Sequence, residues 1–325
     1  MKIAVVGAGY WGRNLVRIFA DLGALAAVCD ADQALLAEHA TRHPHIQTYP
    51  SFADLLSWSQ DITAVAISTP AVTHHDLVKQ SLLAGKDVFV EKPLSLTLAE
   101  AQELDDIALT RGRILMVDHI LRFHPAVIKL KELIDAGALG KLRYIYSNRL
   151  NIGRLRKEEN ILWSFAPHDI SVILFLTGEE PVSVHAMGEA YLQEHIYDVT
   201  LTQLSFSDRL QAHIFVSWLH PFKEQKFVVV GDRNMAVFDD TRPKDKLVLY
   251  PHRVEWVNRI PVAEKAEGQP VDLEEREPLK LACSHFLDCI RERKPPLTDG
   301  AEGIRVLRVL DCAQRSLDQR ASGGV

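Results

Sequence analysis

The stretch Ile3-Ala4-Val5-Val6-Gly7-Ala8-Gly9-Tyr10-Trp11-Gly12-Arg13-Asn14-Leu15-Val16-Arg17-Ile18-Phe19 decides how the chain reads. Ile3 to Val6 form a short continuous apolar run, the pattern of a strand buried on both faces. Three glycines spaced G-x-G-x-x-G follow it, and Asn14 to Phe19 then take helical spacing. A strand, a tight turn and the start of a helix leave free N–H groups and the positive end of the helix dipole facing outward, where an anion is favoured.

Working outward, a second apolar run from Ala24 to Cys29 ends at Asp30. Next come a helical stretch near residues 32–42, a strand at 64–68, a helix at about 73–83, a strand at 88–90, a helix at about 98–110 and a strand at 114–117. Repeated β-α units with short connections predict a doubly wound parallel sheet with right-handed crossovers, assigned to a domain over residues 1–120. The glycine motif gains weight from this setting. Gly7 permits the turn, Gly9 admits a pyrophosphate to the backbone, and Gly12 lets helix and strand pack closely. Asp30 lies 23 residues after Gly7, near the spacing at which an acid takes the adenosine ribose hydroxyls. Residues 31–33 are Ala-Asp-Gln, with no arginine to receive a 2′-phosphate, so NAD is expected rather than NADP. Gly7, Gly9, Tyr10, Trp11, Gly12 and Asp30 are the expected contacts of that half of the cofactor.

Two further segments close strands. Ser68-Thr69-Pro70 ends one, and Glu91-Lys92-Pro93 ends the next. In open parallel sheets ligands bind outside the carboxyl ends of the strands, so both segments should face the cofactor. For Lys92 a surface pairing with Glu91 is the plain alternative.

The 325 residues are 47% hydrophobic and 25% charged, which fits about two globular domains. A net charge of −6 argues against binding to nucleic acid or an anionic membrane, both of which want a basic surface. No apolar run reaches the ~18 residues of a membrane span, and the first strand begins too early to leave room for a signal peptide. A cytoplasmic protein is expected. The four cysteines, Cys29, Cys283, Cys289 and Cys312, are scattered and read as small core residues or inert thiols, and no metal site is implied.

From Arg143 onward the pattern changes to period-two runs, including residues 144–146, 199–206, 211–218 and 226–230. These read as antiparallel strands with one wet face. A helix is expected at His168 to Leu176. Two C-terminal helices, at about 279–291 and 302–318, should pack back toward the first domain. The second domain is therefore α+β over residues 121–325, with a large, mostly antiparallel open sheet. Residues 148–157, Asn148-Arg149-Leu150-Asn151-Ile152-Gly153-Arg154-Leu155-Arg156-Lys157, are unusually basic for an acidic chain. They fit either a solvated loop or a site rim whose arginines, with Asn151, hold a diphosphate through bidentate hydrogen bonds. Trp163 could stack on a sugar ring or fill core.

Taken together, the chain resembles the Gfo/Idh/MocA family. The motifs that carry the resemblance are Gly7 to Gly12, Ser68-Thr69-Pro70 with His74, Glu91-Lys92-Pro93, Arg122-Phe123-His124-Pro125 and Pro167-His168-Asp169. The resemblance implies hydride transfer between NAD and a sugar or cyclitol hydroxyl, on an open second sheet that often serves as an oligomer interface, in a dimer or tetramer. It places Thr69, Pro70, His74, Glu91 and Lys92 at the cofactor. Lys92 becomes an active-site residue beside the reacting hydroxyl, where a neighbouring positive ring and partial burial should lower its pKa. His168 becomes the general base, and Arg122 and His119 contacts to the sugar. Family members commonly have an aspartate four residues before this histidine and a glycine two before it. Here Ser164 and Ala166 stand there, which implies that Lys92 and His168 act without that carboxylate.

Within the family, Asn160 through Asp169 looks most like the nucleotide-sugar 3-dehydrogenases. That likeness implies oxidation of UDP-N-acetylglucosamine at its 3-hydroxyl, with the keto product passed to an aminotransferase toward a 2,3-diamino sugar. The alternatives are a dehydrogenase of the corresponding uronate or of a free sugar or cyclitol, and a non-catalytic NAD-binding regulator, which would need Asp30 and the glycines but neither Lys92 nor His168.

Overall fold

The structure, a computed structural model, describes residues 1–58, 61–153 and 155–322. In chain order the first half contains β1 (Ile3–Val6), α1 (Gly12–Asp21), β2 (Leu25–Cys29), α2 (Gln33–Arg42), β3 (Gln47–Tyr49), α3 (Phe52–Trp58), β4 (Ala64–Ile67), α4 (His74–Leu83), β5 (Asp87–Val90), α5 (Leu98–Arg111) and β6 (Leu115–Val117). There follow α6 (Pro125–Asp135), β7 (Leu142–Leu150), α7 (Ile161–Thr177), β8 (Ser183–Glu189), β9 (Val199–Ser205), β10 (Gln211–Ser217), β11 (Glu224–Gly231) and β12 (Met235–Asp239). Last come β13 (Leu247–Tyr250), β14 (Arg253–Val257), β15 (Ile260–Glu264), β16 (Gln269–Pro270), α8 (Pro278–Glu292) and α9 (Gly300–Ser322). Among the described residues no helix is long and apolar enough to cross a membrane.

The chain divides into two compact units. The first joins Met1–Phe123 to Arg276–Leu307. Its six strands run parallel in the order β3-β2-β1-β4-β5-β6, the expected doubly wound sheet. Every residue of β1, β4 and β5 is buried, as short apolar runs covered on both faces must be. Helices α2 and α5 start at residues that supply acceptors. Asp32 takes the N–H groups of Ala34 and Leu35 at the head of α2, and Thr97 with Glu100 forms a capping box on α5. Helix α8 lays Leu279, Ala282, Cys283 and Phe286 into the same core as Leu15, Phe19 and Phe89. The Phe89 ring sits edge-on to Phe19 at 6.3 Å and to Phe286 at 5.6 Å. The short elements β3 and α3 are additions to the pattern read from sequence.

The second unit comprises His124–Glu275 and α9 from Arg308 on. Its eight-stranded sheet runs β16-β13-β12-β11-β7-β10-β9-β8. All pairs are antiparallel but one: β7 and β10 run parallel, Ile145 beside Ala212 and Arg149 beside Val216. The sheet is thus mostly antiparallel, as the period-two strands predict. The exception arises because the chain leaves β7 through α7, and parallel neighbours need such a crossover. Along β7 the buried residues Ile145, Ser147 and Arg149 alternate with the more exposed Tyr144, Tyr146 and Asn148. Asn148 and Arg149 are therefore strand residues rather than part of a basic loop. Strands β14 and β15 make a separate exposed ribbon, turned at Asn258 and Arg259 with φ of 52° and 67°, as a type I′ hairpin requires.

Candidate functional site

The glycine turn is held from three sides. Gly7 has φ of 83°, and a Cβ there would lie 2.8 Å from the Thr69 methyl. A Cβ on Gly12 would lie 1.9 Å from the Gly7 carbonyl oxygen, so only glycine lets α1 start this close to β1. Ser68 Oγ donates to the Gly7 carbonyl at 2.6 Å. Asp30, at the end of β2, accepts the Ala8 N–H through Oδ2 at 2.7 Å and the Asp32 N–H through Oδ1 at 2.9 Å. The buried His39 ring on α2 meets the Ala8 carbonyl through Nε2 at 3.2 Å. By contrast, nothing lies within 4 Å of where a Cβ on Gly9 would stand, and Tyr10 beside it is 76% exposed. A rigid turn with an open outer surface, at a helix N-terminus and beside an anchored acid, fits a dinucleotide pyrophosphate and ribose.

The ends of β4, β5 and β6 build the next part. His74, almost fully buried, sets Nδ1 against the Pro93 carbonyl at 2.7 Å and Nε2 against the Thr69 carbonyl at 2.9 Å. Its ring thus ties the two strand-end loops together. The Lys92-Pro93 peptide is cis. Glu91 follows β5 and Asp118 follows β6, and Val90 pairs with Val117 in register, so the two acids stand side by side. The Asp118 N–H donates to the Val90 carbonyl at 2.8 Å. The Trp11 indole N–H donates to Glu91 Oε1, which brings the glycine turn and the Glu-Lys-Pro segment together. Burial, then the neighbouring Asp118, raises the Glu91 carboxyl well above its usual range. Burial also pushes Asp118 up to about 6, against the pull of Glu91 and Lys92. Burial drives His119 down to about 3, with Arg122 and Lys92 adding to it, so its ring is neutral. Arg122 is buried and donates through Nη1 to Glu302 Oε1 at 2.5 Å.

In the second unit the residues expected at the site lie on α7, on β7 and just after β7. Asn160 caps α7 by accepting the Trp163 N–H at 3.2 Å. Pro167 lies inside the helix and, having no N–H, leaves the Trp163 carbonyl without its usual partner immediately before His168. His168 is half-buried, and Ser164 stands one turn back on the same face. Asp169 has no exposure at all. It receives Arg149 Nε at 2.8 Å, Arg149 Nη2 at 3.2 Å and Ser147 Oγ at 2.5 Å. The Trp163 indole donates to Gln314 Oε1 at 3.0 Å. Asn151 follows β7, its N–H on the Ser217 carbonyl and its buried Oδ1 without a donor among the described residues. Arg154 lies outside the described residues.

Reading the sequence did not single out His39, Asp118 or Glu302. Asp118 carried a usable signal, because it follows the apolar run 115–117 as Glu91 follows 88–90. Glu302 carried none, since its partner Arg122 lies 180 residues away.

A parallel nucleotide fold with an acid closing β2 and a lysine closing β5 defines an NAD-dependent oxidoreductase acting on a hydroxyl. The chain belongs to the Gfo/Idh/MocA family: residues 1–119 match its oxidoreductase domain with an NAD-binding Rossmann fold, and residues 127–237 match its C-terminal domain. It is similar to UDP-N-acetylglucosamine 3-dehydrogenase of Acidithiobacillus ferrooxidans, at 29% identity over 94% of both chains. A solved structure of that enzyme superposes with a TM-score of 0.86 at 27% identity over 99% of each chain. The NAD-dependent scyllo-inositol 2-dehydrogenase of Bacillus subtilis is 26% identical over 95% of this chain and 92% of its own.

Proposed function

We propose that the protein oxidises the 3-hydroxyl of a nucleotide sugar of the UDP-N-acetylglucosamine type. The observation that carries this reading is the likeness to an enzyme of that activity along 94% of both chains. In this reading Gly7, Gly9, Tyr10, Trp11 and Gly12 receive the pyrophosphate, Asp30 the adenosine ribose, and Thr69, Pro70, His74, Glu91 and Lys92 shape the nicotinamide end. NAD, when bound, supplies the hydride acceptor. His168 takes the proton of the 3-hydroxyl through its imidazole. Lys92 donates a hydrogen bond to the same oxygen and limits the charge that develops there. Asn151 Oδ1 accepts from a sugar hydroxyl, and Trp163 presents its ring face to the sugar. Arg122 and Arg149, each already engaged with a carboxylate, hold their walls in shape and turn remaining N–H groups to the substrate, while Arg154 answers the diphosphate.

The protein would work in the cytoplasm as a homodimer or homotetramer. The wet face of the large sheet supports that assembly, since it carries Tyr144, Leu201 and a stacked Tyr146–His213 pair at 5.4 Å. The keto product would feed an aminotransferase. The likeness to a cyclitol dehydrogenase supports a second reading, oxidation of a free cyclitol.

The test follows reduced nicotinamide absorbance with UDP-N-acetylglucosamine, its uronate and myo-inositol offered in parallel. A signal with the first alone supports the nucleotide-sugar reading. A signal with inositol alone replaces it with the cyclitol reading.

A further inference from the structure

Asp118 is 1% exposed, and the Glu91 carboxyl is the group that meets its carboxylate; with both acids ionised, no donor among the described residues reaches either of its oxygens. What faces it is the Glu91 carboxyl, brought alongside by the β5–β6 register and by the bond from its own N–H to Val90. A buried carboxylate in contact with a half-buried one resists joint ionisation. A single proton between them removes the repulsion and supplies the missing donor. The groups around the pair are the Lys92 ammonium, the Trp11 indole on Glu91, the neutral His119 ring and the Cys283 thiol of α8, whose own proton is held by burial and by these two acids. No full cation besides Lys92 faces the pair among these groups.

We propose that Asp118 is a positioning residue that shares one proton with Glu91, and that the pair gives this proton to solvent when oxidised NAD binds but keeps it when reduced NAD binds. The inference rests on the reading that puts Glu91 and Lys92 at the nicotinamide end. An oxidised ring carries a positive charge, which favours the fully ionised pair. A reduced ring is neutral and offers no such help. The proton moves from the carboxyl pair to buffer, and no bond other than O–H breaks.

The experiment is calorimetric titration of the full-length protein with NAD+ and with NADH, near pH 7, in two buffers of different ionisation enthalpy. Proton release on NAD+ binding, its absence with NADH, and its loss in Asp118→Asn while both cofactor forms still bind would support the proposal. NAD+ affinity should also rise from pH 6 to 8, by at most about tenfold per unit for one linked proton, with NADH affinity flat. A merely structural role for Asp118 would not separate the two cofactor forms. Equal release with both forms, or undiminished release in Asp118→Asn, would overturn it. Glu91→Gln distinguishes the two ways of failing. Absent release with NAD+ affinity altered in Glu91→Gln would remove the shared proton alone. Absent release with affinity unchanged in that variant would remove the placement of the cofactor as well.

Discussion

Arg149 and Asp169 form a two-point ion pair across the parallel strand and helix of the second unit, with Nε to Oδ2 at 2.8 Å and Nη2 to Oδ1 at 3.2 Å. Asp169 is the residue after His168, so the pair fixes the rotation of α7 about its axis. Both partners are buried. Removing one leaves an uncompensated charge, which costs about 3–5 kcal/mol. Asp169→Ala should lower stability by that amount in urea unfolding. Ser147→Ala, which loses one hydrogen bond to the charged carboxylate, should cost about 1.5–3 kcal/mol.

Lys92→Ala and His168→Ala should each lower turnover by about 10²–10⁴-fold, the range expected of a lost acid-base group. His168→Ala should still bind NAD with near-normal affinity in fluorescence titration. Near-normal turnover in both variants would end the assignment of these residues.

Asp30→Ala removes the acceptor that holds both the Ala8 N–H and, in our reading, the ribose. A hydrogen bond to a charged group contributes about 1.5–3 kcal/mol, so NAD affinity should drop by roughly 10–150-fold. Loss of the carboxylate also lifts the repulsion of a 2′-phosphate. The NADP to NAD affinity ratio should therefore rise, and titration with both dinucleotides measures it.

His119 should make the protein acid-sensitive. Burial lowers its folded pKa to about 3 from an ordinary 6.5. Between those values the unfolded chain binds the proton and the folded one does not, so stability rises with pH through this window and is lost on acidification. Unfolding midpoints at pH 5 and pH 7.5 should lie closer together in His119→Gln than in the unsubstituted protein. An unchanged gap would mean that the ring protonates in the folded state.

The first sheet was legible because its strands are continuous apolar runs ending on chemically distinctive residues, Gly7, Asp30 and Glu91. Strand β3 was not, since Gln47 and Thr48 are exposed and give no apolar run. Period-two alternation marks a half-covered strand but is blind to its neighbour's direction, which hid the β7–β10 pairing. Arg149 looked like part of a basic loop because its carboxylate partner comes 20 residues later, on another element. Lys92 and His168 stood out through motifs. The place of Asp118 at a strand end was legible, but its contact with Glu91 comes from the β5–β6 register, which the run of residues does not encode.

The nucleotide fold is also not finished by the residues that define it. Helix α8 places Phe286 against Phe89 and fills the groove beside α1, yet it begins 155 residues after the first unit's opening segment ends at Phe123. During synthesis that sheet must wait with an apolar flank uncovered until the last 50 residues of the chain emerge. A fragment ending at residue 123 would keep that flank permanently and should clump rather than bind dinucleotide, whereas grafting residues 276–307 onto it should restore a monomeric fold.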